Sequence, residues 1–189
     1  MKIKVLIPLV SIVAAVAVAG CSSPNAHYIQ TGGQESVVNV GQINIQDFMS
    51  AADAATGDLL ASGVLNRVQP PPAVLAISRI VNNTSQQLDT DLLVKRIRVA
   101  LLHSGKAVTT TTYGVGGPED PLAAQMQGES SRAPDFTLSG KIIETYARAG
   151  NIRQATYSFQ LSLTDHQGLA VWESDKDITK QGARSSVGF

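Results

Sequence analysis

The clearest alternation of apolar and polar residues lies near the end of the chain, in residues 156–164. The alternating residues are, on the apolar side, Tyr157, Phe159, Leu161 and Leu163 and, on the polar side, Thr156, Ser158, Gln160, Ser162 and Thr164. A period of two with one polar face predicts a strand that buries one side and leaves the other in water. Residues 135–150 alternate in the same way, and the turn sequence 165–168 leads to a return strand at 169–180. These segments predict a three-stranded antiparallel meander.

Two segments upstream of the meander carry apolar residues at helical spacing. The first, residues 44–62, places on one face Ile45, Phe48, Met49, Ala52, Leu59 and Leu60. Gly57 weakens its middle, and Gly63 is its predicted stop. The second begins at the cap residues 89–91 and runs to about His103. Its apolar face consists of Leu93, Ile97, Ala100 and Leu101.

Short apolar runs rich in β-branched residues precede and follow the second helix. Residues 73–81 predict a buried strand and residues 107–115 another, whereas residues 116–134 predict a loop. A strand, a helix and a second strand in succession predict a parallel pair joined by a crossover. The expected fold is therefore α/β (α+β): a small mixed sheet of about four to five strands, with helices packed on one face and an antiparallel meander at the end.

The first twenty residues have the layout of a secretory signal peptide. Lys2 and Lys4 form a short positive segment, and residues 5–18 are almost entirely apolar. The apolar run is shorter than the roughly 20 residues that a transmembrane helix needs. Small residues, Ala19 and Gly20, follow it. We therefore expect residues 1–20 to be removed from the mature protein.

The residues at the end of this segment, Val18-Ala19-Gly20-Cys21, resemble the lipobox of bacterial lipoproteins. The resemblance implies cleavage after Gly20, a diacylglycerol thioether on the Cys21 sulfur, and an acyl group such as palmitate on the new amino terminus. Several acyl chains anchor a protein stably to a membrane, because each buried methylene adds about 0.8 kcal/mol. Ser22, at the position where Asp favours retention in the inner membrane, implies the outer membrane. An ordinary signal peptide followed by a chance cysteine is the alternative.

The length and charge of the remaining chain restrict its function. Without residues 1–20 it has 169 residues, 13 Lys and Arg, and 15 Asp and Glu, a formal net charge of −2. Such a length fits one domain, predicted for residues 43–189, and the charge gives no electrostatic basis for binding nucleic acid. Residues 21–42 predict a lipidated N-terminus and a polar tether, which spans about 70 Å when fully extended and about 25 Å as a coil.

The residue types that carry enzyme chemistry form no recognised pattern in this sequence. The histidines, none of them in a metal-binding motif, are His27, His103 and His166. The glycine-rich residues 113–118 lack the Lys-Ser/Thr of a phosphate-binding loop, and Glu119 and Asp120 lack a partner motif. With Cys21 lipidated, no thiol is left for redox or metal chemistry. The sequence therefore predicts a protein that is not an enzyme and that uses no cofactor or metal.

The candidate functional feature of this sequence is a contact surface, whose residues lie in the predicted meander. The polar face of residues 156–164, together with Lys141, Arg148 and Arg153, suggests a surface for binding another molecule. Trp172 is either a packed core residue or an anchor of an interface. For each of these residues, an ordinary solvated or packed role is the alternative.

An ordered set of features resembles a known family. A strand at 73–81 is followed by Asn82-Asn83-Thr84, then by a helix that contains Ile97-Arg98-Val99-Ala100-Leu101 and ends at Ser104-Gly105-Lys106. A hairpin from Phe136 to Thr164 then leads to the segment Gly168–Ser174, which contains Trp172. In this order the features resemble the LpoB family, the outer-membrane lipoproteins that activate peptidoglycan synthases.

The resemblance implies a non-enzymatic regulator. Members of this family reach from the outer membrane, bind a bifunctional class A penicillin-binding protein and stimulate its glycan polymerisation and crosslinking. Their fold is related to that of the periplasmic domain of the curli-secretion lipoprotein CsgG. An assembly or secretion-accessory lipoprotein of this fold, oligomeric rather than monomeric, is therefore the alternative function. The resemblance transfers no contact residue other than the lipidated Cys21.

Overall fold

The computed structural model describes residues 44–110 and 132–183. Its first element is helix α1, Ile45–Ala61, which begins where the Asn44 side chain accepts a hydrogen bond from the Gln46 backbone N–H at 3.1 Å. After the cap residue Ser62 the chain turns at Gly63, whose φ of 74° lies in the left-handed region that glycine adopts without strain. A short 3-10 helix, Val64–Arg67, follows. The first predicted helix and its stop are confirmed.

The second part of the fold is a strand–helix–strand unit. Strand β1 spans Ala73–Asn83, helix α2 spans Asp91–His103, and strand β2 spans Ala107–Thr109. The Asp89 side chain accepts a hydrogen bond from the Asp91 backbone N–H at 3.0 Å at the start of α2. Strand β1 pairs in parallel with β2, as the crossover helix predicts.

Three long strands form the meander: β3, Phe136–Ala149; β4, Ile152–Asp165; and β5, Ala170–Ala183. They pair antiparallel in sequence order, and the β4–β5 turn closes with a hydrogen bond from the Gly168 N–H to the Asp165 carbonyl at 3.0 Å. The sheet order is β2-β1-β3-β4-β5, with β1 also parallel to β3. The predicted mixed sheet and its antiparallel meander are therefore confirmed, with five strands.

The core lies between one face of the sheet and the two helices. Phe48 of α1 packs edge-on against Tyr157 and Phe159 of β4, with ring centroids 5.8 Å and 6.5 Å apart. The predicted inward residues of β4 are all buried, and those of α2 are buried except for the half-buried Ala100. The polar face predicted for β4 points away from the helices.

Two local features that the sequence does not predict shape the sheet. The β1–β3 register shifts between Ile77 and Ile80, so that Ser78 and Arg79 are both exposed while Ile77 and Ile80 both remain buried. Beside this bulge, Gly140 lets β3 approach β4 closely: a Cβ there would lie 2.7 Å from Leu161 Cδ2 and 2.8 Å from the Gln160 carbonyl oxygen.

Several sequence predictions fall outside the described residues. They concern the signal peptide and tether, the end of the predicted strand 107–115, and most of the predicted loop 116–134. Within 44–110 and 132–183, no helix combines the length and hydropathy needed to cross a membrane.

Candidate interaction surfaces

The first candidate surface is the open sheet face, defined as the side chains of β1, β3, β4 and β5 that point away from the helices. Along β4 and β5 these side chains form cross-strand hydrogen bonds, one pair after another along the strands. Ser158 donates a hydrogen bond to Asp177, Gln160 Nε2 to Asp175 at 3.1 Å, and Ser162 Oγ to Glu173 at 3.0 Å. The hydroxyls of Thr156 and Thr179 form a further row at 3.0 Å. The polar side chains that the sequence predicts as a contact face are therefore largely paired within the sheet.

The same face contains a groove of about 790 Å³ that crosses four strands. Arg79 and Lys141 stand on one side of it, and Glu173 and Asp175 on the other. Lys141 lies opposite Gln160, which lies opposite Asp175, so the two charges are two strand spacings apart, about 10 Å. The groove is polar and carries both charges.

The structure separates the three basic residues that the sequence groups together. Lys141 is on the open sheet face, whereas Arg148 and Arg153 pair across the far end of the β3–β4 hairpin. Arg148 and Arg153 lie an even number of residues from buried Ile142 and Ala155, respectively. Because side chains alternate along a strand, both arginines lie on the side of the sheet that faces the helices. They are exposed there, because the hairpin extends beyond the core.

A polar cluster that sequence analysis missed holds the loop after β1. Glu144 on β3 accepts hydrogen bonds from the Ser85 backbone N–H at 2.7 Å and from the Tyr146 hydroxyl. Gln86 Nε2 donates to the Tyr157 hydroxyl at 3.3 Å, and Thr84 Oγ1 donates to Asn82 Oδ1 at 2.7 Å. The Asn82-Asn83-Thr84 element is thus the start of a loop that is tied to the sheet. Glu144 is 59 residues from Ser85, so no local pattern indicates this contact.

The environment of this cluster shifts the pKa values of Glu144 and Tyr157. Partial burial alone would raise the pKa of Glu144, but hydrogen bonds from Tyr146 and Ser85 outweigh it and lower the pKa below its usual value. Burial, and next the nearby Glu144 carboxylate, raise the pKa of the Tyr157 hydroxyl well above its usual value. The cluster therefore keeps Glu144 charged and Tyr157 neutral at neutral pH, which suits a structural tie.

The second candidate surface is the outer helix face, the side of α1 and α2 that points away from the sheet. On α1 it consists of small or absent side chains, which are Ser50, Ala54, Gly57 and Ala61. On α2 it carries exposed aliphatic side chains, which are Leu92, Val99 and Leu102, and the exposed charged residues Asp91 and Lys95 lie on the same side. The residues of this face are spaced by three, four or seven positions, so each set follows one side of its helix.

Ion pairs join the two helices to each other and α1 to strand β5. Arg96 of α2 forms a fork with Asp53 of α1, with Nε–Oδ1 and Nη2–Oδ2 distances of 2.7 Å and 2.6 Å. Asp58 of α1 pairs with Lys176 of β5. At the start of α1, Asp47 Oδ2 lies 2.6 Å from Nζ of Lys180, which is 8% exposed. The carboxylates of α1 are therefore all engaged with cations.

The remaining candidate residues that the structure describes form no catalytic grouping. His103 and His166 are exposed at a helix end and in a turn, and no group of three potential metal ligands occurs within the described ranges. Trp172 is half-buried against the core, opposite Leu163 on β4, so packing accounts for it. The residues that lie outside the described ranges are Gly20, Cys21, His27, residues 113–118, Glu119 and Asp120.

Comparison with solved structures finds several similar chains. Among solved structures, the chain is similar to the C-terminal domains of LpoB from Salmonella enterica and Escherichia coli, at 16% and 15% identity and TM-scores of 0.41 and 0.40. Each similarity covers 67% of this chain and 97% of the other. A lipoprotein from Neisseria meningitidis is 14% identical over 60% of this chain and 88% of its own, with a TM-score of 0.40. No curated protein sequence matches.

The family assignment rests on the sequence rather than on these structural similarities. The family model described as peptidoglycan-synthase activator LpoB matches residues 47–178. The match begins in α1 and ends in β5, so it includes both helices and reaches all five strands. Because it covers more than half of the chain, the protein belongs to the LpoB family of peptidoglycan-synthase activators.

Proposed function

We propose that this protein is an outer-membrane lipoprotein that binds a bifunctional class A penicillin-binding protein and stimulates its glycan polymerisation and crosslinking. The observation that supports this proposal most strongly is the family match, which follows the fold from α1 to β5. The exposed surfaces support it as well, because they offer polar, basic and aliphatic side chains for contact.

The proposed anchor lies in the N-terminal residues. Residues 1–20 are the signal peptide, Gly20 precedes the cut, Cys21 carries the lipids, residues 21–42 are the lipidated N-terminus and tether, and residues 43–189 are the periplasmic domain. Mass spectrometry of the N-terminal peptide tests this arrangement. We expect a lipid-modified Cys21, and the variant Cys21→Ser is expected to leave the membrane fraction. An unmodified cysteine in the membrane-bound protein would overturn the proposed anchor.

A regulator of this kind acts through differential binding. An activator shifts an enzyme between two conformations only as far as it binds the active conformation more tightly than the inactive one. A tenfold preference corresponds to about 1.4 kcal/mol. The protein therefore needs no catalytic group of its own, but it needs a specific contact surface.

The deciding experiment uses the lipidated protein in detergent together with purified class A penicillin-binding proteins. Binding is measured by biolayer interferometry, and glycan polymerisation by consumption of labelled lipid-linked precursor. We expect saturable binding and a faster rate. If neither appears with any class A synthase of the same cell, the proposed function is wrong. Light scattering on the same sample tests the alternative, since a defined ring would favour an assembly role.

A further inference from the structure

The hairpin tip, defined as residues 146–153 at the end of β3 and the start of β4, places two arginines directly opposite each other. Arg148 on β3 is the register partner of Arg153 on β4, and both side chains are exposed. Opposite side chains have Cβ atoms about 4.5–5.5 Å apart, and like charges at that spacing destabilise a sheet. Neither arginine packs in the core. The pair therefore opposes folding unless a negatively charged ligand offsets the repulsion.

No carboxylate in the described part of the chain neutralises this pair. Residues 145–164 contain no Asp or Glu, and residues 178–183 of β5 contain none either. The carboxylate of β3, Glu144, lies four residues before the β3 arginine, about 13 Å along the strand, and is already hydrogen-bonded to the β1 loop. The nearest carboxylate of α1, Asp47, is engaged with Lys180. The tip is therefore a locally basic end of the sheet.

Large apolar side chains are exposed at the same end. Tyr146 is 58% exposed and Ile152 is 46% exposed. Because side chains alternate along a strand, Tyr146 shares the side of the two arginines and Ile152 lies on the other side of the hairpin. Basic residues combined with exposed aromatic and aliphatic side chains are typical of segments that lie at the boundary between lipid headgroups and acyl chains.

The chain enters the domain at this same end. Asp47, in the first turn of α1, contacts Lys180, whose register partner on β4 is Ala155, close to the start of that strand. Residues 22–44 connect α1 to Cys21, the proposed site of lipid attachment. A coil of this length spans about 25 Å. The hairpin tip can therefore meet the membrane that holds Cys21 without the domain turning over.

Attachment to the membrane makes a weak contact sufficient. Once one site is anchored, a second contact with the same bilayer is intramolecular and benefits from a high effective concentration. Each basic residue near an anionic bilayer strengthens binding about fivefold. Two arginines can therefore hold the tip on the surface without a dedicated pocket.

The arrangement argues against two other occupants. A second copy of the chain, docked through the same tip, would bring two basic pairs together. An acidic protein would account for the arginines but not for their position at the end where the anchored chain enters. A bilayer with anionic headgroups accounts for the charge, the exposed apolar side chains and the position.

We propose that the hairpin tip binds anionic lipid headgroups of the membrane to which the protein is anchored. Arg148 and Arg153 contact headgroup phosphates, and Ile152 and the ring of Tyr146 lie at the edge of the acyl chains. This contact holds the domain against the bilayer in addition to the lipid on Cys21. The inference rests on the anchor in the proposed function and is independent of the synthase.

The test uses the lipidated protein reconstituted into vesicles. The sequence has no cysteine other than Cys21, so Asn151→Cys supplies a single thiol at the tip for a fluorophore that reports on polarity. We expect blue-shifted emission and quenching by spin-labelled lipids in vesicles that contain phosphatidylglycerol, but not in vesicles of phosphatidylcholine alone. His166→Cys, exposed beyond the opposite end of β4, is the matched label that stays in water.

Charge variants of the labelled protein identify the contact. Arg148→Gln combined with Arg153→Gln is expected to lower the ratio of membrane-bound to free tip about 25-fold. Arg79→Gln combined with Lys141→Gln, which removes the same charge from the exposed open sheet face, is the matched control and should leave the ratio unchanged. Because the first pair of changes removes a repulsion, it should also raise the denaturation midpoint slightly. A folding defect cannot produce weaker lipid contact together with greater stability.

The possible outcomes separate this inference from the proposed function. A label at Asn151 that stays in water, or that is equally buried in neutral vesicles or without the two arginines, would overturn the inference. Loss of synthase binding on removal of the arginines, with lipid contact intact, would assign the tip to an acidic protein and overturn it as well. An unlipidated Cys21 would remove both the anchor and the inference. Lipid contact without stimulation of any synthase would support the inference while the synthase part of the proposed function fails.

Discussion

On the open sheet face, neighbouring polar side chains of β4 and β5 hydrogen-bond to one another, whereas the outer helix face exposes aliphatic side chains and a bare glycine. Ser162 and Glu173 illustrate the first arrangement, and Leu102 and Gly57 the second. A polar group with a partner in its own sheet gains little from a further contact, because a new hydrogen bond replaces an existing one. Any contact that removes an exposed leucine from water lowers the free energy of the complex. The presence of polar side chains on a face therefore says less about binding than whether those side chains already have hydrogen-bond partners.

The largest expected effect comes from separating the helices from the sheet. Phe48→Ala removes the ring that packs against Tyr157 and Phe159, and we expect it to lower the free energy of unfolding by about 3–5 kcal/mol. Urea denaturation followed by circular dichroism measures the change. Leu92→Ala, on the outer helix face, is the control and should stay within about 0.5 kcal/mol of wild type. Equal losses for the two variants would mean that the outer helix face is also part of the folding core.

The second effect concerns the ion pair that joins α1 to β5. Asp47→Ala leaves Lys180, which is 8% exposed, without its carboxylate at 2.6 Å. Breaking a fully buried pair costs about 3–5 kcal/mol, and since Asp47 is itself 30% exposed we expect a loss of about 2–3 kcal/mol. Adding Lys180→Met to Asp47→Ala should recover most of it. Asp53→Ala, which breaks the exposed pair with Arg96, should cost at most about 1 kcal/mol.

Replacing glycine by alanine should have opposite signs at two positions. At Gly140 a Cβ would lie 2.7 Å from Leu161 Cδ2 and 2.8 Å from a backbone oxygen, so Gly140→Ala should destabilise the domain by about 1–3 kcal/mol. At Gly57 the Cβ meets no neighbour, so Gly57→Ala should stabilise the domain by about 0.5–1 kcal/mol. Denaturation midpoints of the two variants measure both effects. A loss of stability at Gly57 would show that this glycine has a role within the fold.

The sequence predicted the sheet face and the core better than the outer helix face, and the reason is physical. In β4 a period of two assigns every residue to a side, so the burial of Tyr157 and the exposure of Ser158 follow directly. In α2 helical spacing selects Leu93, Ile97, Ala100 and Leu101 as the core side, and all but the half-buried Ala100 are buried. The same spacing places Leu92, Val99 and Leu102 on the opposite side of the helix, but periodicity reports only exposure and not whether an exposed aliphatic side chain takes part in binding.

The β1 bulge and the contact between the β1 loop and β3 could not be predicted from the sequence either. The bulge at Ser78 and Arg79 lies in an apolar run that contains no alternation to mark it. The Glu144–Ser85 contact joins residues far apart in the chain. The likeness to the LpoB family, in contrast, was carried by the order of several local features and was confirmed by the family match. Local order thus identified the family, whereas assembled geometry was needed to distinguish the two surfaces.

Acid should weaken the tie between the β1 loop and the sheet. Because the pKa of Glu144 in the folded protein lies below the 4.5 of the free side chain, its stabilising contribution is complete above that pH and is lost as the pH falls through the folded pKa. We expect the difference in unfolding free energy between wild type and Glu144→Gln to be positive at pH 6 and to shrink towards pH 3. Tyr146→Phe removes one donor to this carboxylate and should reduce the dependence. A difference that grows on acidification would contradict the assigned hydrogen bonds.

The smallest effect is expected on the open sheet face. Ser162→Ala removes a hydroxyl that donates to Glu173 at 3.0 Å, but Glu173 is exposed and water can replace the lost donor. We therefore expect a change in unfolding free energy within about 0.5 kcal/mol and an unchanged affinity for the synthase. The measurements are urea denaturation and the interferometry used for synthase binding. If Ser162→Ala weakened synthase binding tenfold, the open sheet face, with the groove beside Arg79 and Lys141, would be a contact surface after all.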